Sequence, residues 1–315
     1  MQRYLAARLL ALFPVLLGIL AVVFLLIRLI PGDAVQLFLG TQVEMTPEQM
    51  AEIRRFFGVD KPISAQFVDY LGRILRGDLG VSLRTSRPVL GDILQRLPLS
   101  FQLATFALLV AMAIALPLGI ASAVTRNSTL DVFTRIGGLL GLSMPNFWLG
   151  AMLILIFSRY LHVSLGQYVP ITQNPLGTLQ SLYLPALALG AAIASILMRY
   201  VRSSLLEVLG QEYIRTARGK GLREVVVMLR HALPNALIPV ITVLGFQMGY
   251  LLGGTVVIEE IFALPGMGRL ALQAIFQRDY PVVQGVVLIV ALLFVLTNLV
   301  VDLLYAWIDP RIRYA

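Results

Sequence analysis

The stretch from Glu212 to Pro234 reads EYIRTARGKGLREVVVMLRHALP, and the rest of the chain is interpreted from it. It is polar and basic, whereas the segments on both sides are apolar and long enough to span a bilayer. Seven of the chain's 25 Lys and Arg residues lie between Arg199 and Arg230. The sequence therefore predicts a charged connection outside the membrane, held between two membrane-spanning helices.

The composition of the 315-residue chain is that of a membrane protein. Charged residues make up only 13% of it, about half of their share in a soluble domain, while 58% is hydrophobic. The absence of cysteine excludes disulfides and thiol sites, and two histidines cannot supply a multi-histidine metal site. The net charge of +8 fits basic loops at a membrane better than a nucleic-acid-binding face.

Six apolar segments are predicted to span the membrane, which makes the chain an all-α membrane protein. The first resembles a signal peptide but is interpreted as retained, because its apolar run is too long and no small-residue cleavage site follows. The predicted spans are Leu9–Ile27, Leu97–Thr125, Ile136–Ser158, about 181–198, Leu237–Ile258 and Val282–Ala306.

Residues 31–98 form a polar insertion between the first two spans, with eight acidic and eight basic residues. A capping box at 46–49 predicts a first helix that closes at Gly58, and a second helix is predicted from Pro62 to Arg76. A third is predicted to start near 86–88. The insertion has too few apolar positions for a core of its own, so we expect helices that lie on the outer surface of the membrane domain.

The positions of the basic residues predict the orientation of the chain, because Lys and Arg collect on cytoplasmic loops. The N-terminus, the 126–135 loop, the 199–230 segment and the C-terminus together hold thirteen Lys and Arg, whereas the short loops on the other side hold three. Both termini are therefore predicted to be cytoplasmic. The predicted organisation is the N-terminus and first span at 1–30, the insertion at 31–98, a membrane core at 99–308 with a cytoplasmic loop at 200–235, and a tail at 309–315.

The 200–235 segment, called the basic loop below, carries a break and an apolar face. Gly219 and Gly221 predict a break between two short helices, and Pro234 marks the return to the membrane. Apolar residues recur at helical spacing after the break: Leu222, Val225, Val226, Leu229 and Leu233. These residues leave two interpretations open: a knob that docks in a partner's groove, or a loop that only sets topology.

The basic loop is similar to the EAA loop of ABC importer permeases. That motif is written EAA, three residues, G, nine residues, I, one residue, LP. Ala217, Gly221 and the Leu233–Pro234 pair match it, while Arg215 replaces the glutamate and His231 replaces the isoleucine. The form RTARxKGL resembles the peptide-transport branch of the family.

Further stretches resemble the same branch, so that the resemblance covers nearly the whole chain. The chain resembles the B-type permease of dipeptide, oligopeptide, glutathione or nickel importers. These stretches are Leu29–Asp33, Gly77–Ser82, Pro234–Pro239, Leu264–Arg269 and Arg278–Pro281.

The resemblance implies a six-helix type I ABC importer permease fold in the inner membrane of a bacterium or archaeon. It implies pairing with a second homologous permease, two cytoplasmic ATP-binding subunits and an extracytoplasmic binding protein. The chain has no GxxxxGK[ST] loop, so ATP and Mg²⁺ are expected in the partner ATPases and no cofactor or enzyme activity in this chain. The implied ATPase-coupling residues are Arg215, Ala217, Gly219, Gly221, Leu233 and Pro234.

Two further groups of residues are weaker candidates. Gln247 and Tyr250 are polar groups within a span and are proposed to face the substrate pathway, whereas Gly245, in the same span, is interpreted as a packing position. The outer candidates for contact with the binding protein or substrate are Glu259, Glu260, Arg269 and Asp279. A structural network of salt bridges is the alternative for these four.

Two rival classes of protein remain, a polytopic membrane enzyme and a stand-alone channel or secondary transporter. An enzyme needs a catalytic set within the spans, and neither His162 nor His231 lies there in the predicted topology. Stand-alone transporters often carry inverted repeats, and none is recognised here. The cargo stays open between di- or oligopeptides, glutathione and nickel.

Overall fold

The computed structural model describes residues 2–28, 46, 60–162 and 166–308. These residues are almost entirely helical, and one isolated bridge, Val81 with Pro88, is the β structure among them. The helices are α1 (Gln2–Arg28), α2 (Ile63–Leu75), α3 (Val89–Val124), α4 (Thr129–Ser143), α5 (Asn146–Tyr160), α6 (Pro175–Leu209), α7 (Glu212–Gly219), α8 (Glu224–Ala236), α9 (Ile238–Gly254), α10 (Val256–Ile261), α11 (Met267–Phe276) and α12 (Tyr280–Ile308).

Three helices, α3, α6 and α12, are long and apolar enough to cross a bilayer alone. Two bent pairs, α4 with α5 and α8 with α9, reach that length together, and α1 adds the apolar stretch Leu10–Leu25. The described helices therefore confirm the predicted all-α membrane fold, and α1 covers the predicted first span.

The predicted third span, Ile136–Ser158, is not one straight helix. α4 ends at Ser143 and α5 begins at Asn146, and the two axes differ by 100°. Met144 is extended, with φ −82° and ψ 123°, because a residue before proline is driven out of the helical region. Pro145 then has no N–H with which to continue the helix. Two helices bent about this proline replace the single span that we predicted.

The fourth span is longer than predicted, because α6 runs from Pro175 to Leu209 instead of about 181–198. Its start is fixed by Asn174, whose side chain accepts a hydrogen bond of 3.0 Å from the Gly177 N–H. The helix is largely buried and packs against α4, α5 and α9. Gly190 allows the closest approach, since a Cβ there would lie 2.7 Å from the Ala107 carbonyl oxygen of α3.

The insertion confirms one predicted helix and corrects another. α2 spans Ile63–Leu75, as predicted from Pro62 to Arg76. The helix predicted near residues 86–88 is not separate, because it begins at Val89 and continues as α3 through Pro98 into the second span. Prolines are tolerated in such helices because neighbouring groups satisfy the freed carbonyls. The helix predicted after the capping box lies outside the described residues.

The chain divides into two compact units. The core unit comprises residues 99–264 and 296–315, and the insertion unit comprises residues 2–98 and 265–295. The buried cluster of the insertion unit joins α3 to α11 and α12 through Val89, Ile93, Met267, Leu270, Ala274, Val282 and Val286. Two loops of this unit are also joined, because the Arg84 side chain donates a hydrogen bond of 2.9 Å to the Gln277 carbonyl oxygen.

Gly245 supports the close packing of α9 against α12 within the core unit. A Cβ at this position would clash with Val301 Cγ2 and lie 3.0 Å from both Val301 Cβ and Cγ1, so rotating the valine gives no relief. Gly245→Ala is therefore expected to lower the stability by about 1–3 kcal/mol through overpacking. Thermal unfolding of the detergent-solubilised protein measures the change.

Gly137 in α4 offers the matched control for that substitution, because a Cβ there has no atom within 4 Å. Gly137→Ala is expected to be neutral or to stabilise by up to about 1 kcal/mol, since alanine favours the helix over glycine. Equal effects of the two alanines would contradict the packing role of Gly245.

Candidate functional site

The basic loop folds as the end of α6, residues 200–209, followed by α7 and α8 with the predicted break between them. α7 ends at Gly219, and Gly221 adopts a positive φ of 74°. This left-handed conformation suits glycine, because any Cβ would crowd the backbone. The Gly221 N–H donates a hydrogen bond of 2.9 Å to the Arg218 carbonyl oxygen, and α8 starts three residues later.

An ion pair closes the turn between α7 and α8. The Arg218 guanidinium donates two hydrogen bonds to Glu224, of 3.1 Å from Nε to Oε2 and 2.6 Å from Nη2 to Oε1. The hydrogen bond from Arg218 lowers the pKa of the Glu224 carboxyl below its usual value. The pair is therefore present at neutral pH and is lost only as the pH falls through this lowered pKa. Both side chains are exposed, so the pair adds orientation more than stability.

A buried apolar cluster anchors the basic loop to the ends of α3 and α6. Ile214 and Ala217 of α7 and Val227 of α8 pack there with Ala123 of α3 and Leu205 of α6. The cluster is shielded from solvent, because Ile214, Val227 and Leu205 have no exposed surface and Ala217 is 7% exposed. The two loop helices are consequently fixed to the spans.

Polar contacts add to this anchoring at the end of α8. The Ser204 hydroxyl of α6 donates a hydrogen bond of 2.8 Å to the Ala236 carbonyl oxygen. The Asn235 amide donates to the Tyr213 hydroxyl at 3.2 Å and to the His231 carbonyl oxygen at 2.9 Å, which joins the first turn of α7 to α8.

The predicted apolar face of α8 lies uncovered in the isolated chain. Val225 and Leu229 are 63% and 60% exposed, and Leu222 and Val226 are exposed as well. The buried side of α8 is made instead by Val227, which the 3.6-residue pattern did not select. A π-helical turn at Val227–Ala232 lengthens the local period, so that Val227 and Ala232, five residues apart, are both buried.

The six predicted coupling residues occupy different environments within this loop. Arg215, Gly219, Gly221 and Pro234 are exposed, Leu233 is half-buried and Ala217 is buried. Arg215 donates a hydrogen bond of 2.7 Å to Glu212 on the same helix. Ala217 therefore holds the loop in place, whereas the four exposed residues are accessible to another molecule.

A buried ion pair in the core unit was not anticipated from the sequence. Asp131 of α4 has no exposed side-chain surface and accepts hydrogen bonds of 2.8 and 2.9 Å from Arg202 of α6. It also accepts from the Ser122 hydroxyl of α3 at 2.6 Å and from the Asn127 N–H at 3.0 Å. One carboxylate thus joins three helices. The charges are visible in the sequence, but nothing in it pairs residues 71 positions apart.

The two pathway candidates lie one helical turn apart on α9. Gln247 is half-buried, and Tyr250 is 61% exposed. The i and i+3 spacing places them on the same face of the helix. Their assignment to a substrate pathway stays a prediction.

The four outer candidates differ in burial. In the core unit, Glu259 is fully buried and accepts hydrogen bonds of 2.8 Å from the Ser100 and Thr255 hydroxyls, whereas Glu260 is exposed. In the insertion unit, Arg269 is half-buried.

Asp279, the fourth outer candidate, is also buried in the insertion unit. It accepts hydrogen bonds from the Ser82 hydroxyl and from the Leu83 N–H. The buried carboxylates Glu259 and Asp279 thus hold protein groups together in this conformation, and Glu260 is the exposed acid of the set. In the described part of the chain, no three His, Cys, Asp or Glu side chains group as a metal site.

The helical architecture places the chain in a known structural class. It resembles a chain of the inward-facing MetNI methionine ABC transporter, with a TM-score of 0.54 and 18% sequence identity over 69% of this chain and 96% of that one. A second crystal form of the same transporter gives a TM-score of 0.55 at 17% identity. This likeness shows the type I ABC importer permease fold.

Sequence comparison places the chain within a family of that class. The family model described as the binding-protein-dependent transport system inner membrane component matches residues 115–314, and the model of its N-terminal part matches residues 1–104. The chain belongs to this family. It is therefore a multi-pass inner-membrane permease subunit of an ABC importer and not an enzyme.

Curated relatives extend over the whole chain. A glutathione transport system permease protein of Pectobacterium atrosepticum is 43% identical over 314 residues and 100% of both chains. A dipeptide transport system permease protein of Alkalihalophilus pseudofirmus is 42% identical over 335 residues and 100% of both chains. A putative peptide transport system permease protein of Brucella abortus is 44% identical over 306 residues and 96% of both chains.

Proposed function

We propose that this permease subunit pairs with a second homologous permease to form the pathway for di- or oligopeptides across the inner membrane. The observation that carries the coupling part of the proposal is the basic loop. It presents exposed apolar residues on α8 and is fixed by a buried cluster to the ends of α3 and α6. A partner that moves this loop therefore moves two spans.

Two cytoplasmic ATP-binding subunits are the proposed partners at this loop. An amphipathic helix with an uncovered apolar face is suited to lie in a partner's groove. ATP and Mg²⁺ belong to those subunits, and their closure moves the basic loop and rotates the spans as rigid bodies. The distribution of basic residues supports the orientation that this role requires, with the loop and both termini cytoplasmic.

An extracytoplasmic binding protein is proposed to deliver the cargo on the opposite side. Glu260 and Arg269 have exposed surface from which they contact that protein or the substrate. Glu259 and Asp279 are buried and hydrogen-bonded, each within its own unit, so their proposed role is to hold the local structure near these contacts. Gln247 and Tyr250 are proposed to face the pathway between the two permeases.

The proposed cargo is a small peptide, with glutathione as the second candidate. Relatives named for glutathione, dipeptide and peptide transport match the chain at 42–44% identity. All three names describe molecules with peptide bonds. The binding protein, which meets the cargo first, is expected to set the choice among them.

Uptake into proteoliposomes tests the proposed function. The chain is reconstituted with the proposed second permease, two ATP-binding subunits and binding protein. We expect accumulation of a radiolabelled dipeptide that requires ATP and every subunit. Accumulation without the ATP-binding subunits would instead support a stand-alone channel, and uptake of glutathione but not of dipeptides would assign the second cargo.

A further inference from the structure

A basic cavity lies between α4 and α6 in the core unit. Its volume is about 560 Å³. A volume of this size falls within the range of small-molecule sites, roughly 300–1,000 Å³. Arg135 and Leu139 line it from one face of α4, while Arg199, Arg202 and Ser203 line it from one face of α6.

The charge of this cavity is positive after its internal pairing is counted. Asp131 neutralises Arg202 through two hydrogen bonds and lies 3.7 Å from the Arg135 guanidinium. Arg199 is exposed, and among the described residues no hydrogen bond or ion pair engages it. Three arginines therefore line the cavity, two of them near the single carboxylate of Asp131, and the excess of positive charge suits an anion.

Apolar surface continues from the cavity along α4. Phe133, Ile136, Leu139 and Leu140 are 50–72% exposed on this helix, and Tyr200 borders the cavity at 44% exposure. A free inorganic anion has no apolar part that could cover such a surface. A lipid with an anionic headgroup uses both parts, since its phosphate meets the arginines while its acyl chains cover the apolar side chains.

We infer that the cavity between α4 and α6 binds the headgroup of an anionic phospholipid, with Arg135 and Arg199 as its phosphate ligands. Basic pockets between membrane helices on the cytoplasmic side are suited to such headgroups. The inference rests on the proposed cytoplasmic placement of this end of the spans. It does not depend on the cargo, and its test reads lipid binding instead of transport.

Native mass spectrometry of the delipidated importer complex tests the site. Dioleoyl phosphatidylglycerol is titrated as the anionic probe and dioleoyl phosphatidylcholine as the neutral one. We expect Arg199→Gln to weaken binding of phosphatidylglycerol about fivefold, the factor that corresponds to about 1 kcal/mol for one basic residue at a membrane surface. Arg135→Gln is expected to do the same, and binding of phosphatidylcholine is expected to stay unchanged.

Arg126→Gln is the matched control, because Arg126 is an exposed arginine in the loop before α4 and does not line the cavity. It is expected to change the affinity for phosphatidylglycerol less than twofold. Equal weakening by Arg126→Gln would overturn the inference in favour of diffuse surface charge. Equal binding of the two lipids would also overturn it.

Two further arms separate the lipid from other occupants. Inorganic phosphate at millimolar concentration is expected to leave bound phosphatidylglycerol in place. Complete displacement of the lipid by phosphate would show that the cavity is a phosphate site and would overturn the inference. A photoreactive benzoyl-phenylalanine in place of Tyr200 is expected to crosslink to lipid in the assembled complex. Crosslinking to the second permease would show that the cavity is a protein interface and would overturn the inference.

Discussion

Gly221→Val is expected to leave the permease in the membrane in normal amounts while ATP-driven uptake falls about tenfold. The residue is exposed, and a Cβ there has no atom within 4 Å, so the cause is the backbone. At a φ of 74° a side chain costs about 1–2 kcal/mol, and a β-branched one is an outlier. One or two kcal/mol changes a conformational ratio by a factor of about 5–30. Uptake and ATPase activity in proteoliposomes measure the loss and show whether the two are uncoupled.

The matched control is Gly219→Val, because Gly219 is also exposed with open space around it but has no positive φ. It adds the same side chain to the same loop without the positive φ, and is expected to reduce uptake less than Gly221→Val does. Equal losses from the two valines would show that bulk in this loop matters and that the turn conformation does not.

Asp131→Ala is expected to lower the midpoint of thermal unfolding on the order of 10 °C. The substitution leaves the Arg202 guanidinium, whose side chain is 21% exposed, without its carboxylate. It also removes the acceptor of the Ser122 hydroxyl and of the Asn127 N–H. Breaking one half of a buried pair is strongly destabilising, because the other charge stays buried without compensation. Thermal unfolding in detergent gives the shift.

Two comparisons sharpen this experiment. Glu212→Ala breaks the ion pair with Arg215, whose N–O distance is 2.7 Å. Because the two side chains are 69% and 83% exposed, we expect the midpoint of unfolding to shift by about 2 °C or less. Asp131→Ala combined with Arg202→Met removes both charges and is expected to recover part of the loss. A double variant as unstable as Asp131→Ala alone would contradict the stranded-charge explanation.

The sequence predicts the spans and the break in the basic loop well, because both are local properties. Uncharged runs identify α3, α6 and α12, and two glycines identify the turn. The 100° bend at Pro145 is not predicted from hydropathy. Hydropathy measures how apolar a segment is and carries no information about the direction of its backbone. The π-helical turn in α8 escapes it for a related reason, because a pattern search assumes one helical period throughout.

The burial of charged residues is the other part that local reasoning does not reach. Glu259 and Asp279 are predicted outer candidates whose burial the sequence does not show, and they accept hydrogen bonds from serines 159 and 197 residues away in the chain. Asp131 and Arg202 are a similar case. In each case a carboxylate and its partner lie on different helices, and their pairing depends on the packing of the whole unit.

The small side chains in the cluster beneath the basic loop bear on the coupling that we propose for that loop. Alanine has no side-chain rotamers. Helices that meet through Ala123, Ala217 and Ala232 therefore cannot accommodate a displacement by changing the rotamers of these side chains. Dense packing of this kind is barely compressible. In the proposed coupling, a displacement of the loop is therefore expected to reach the ends of α3 and α6 with little loss.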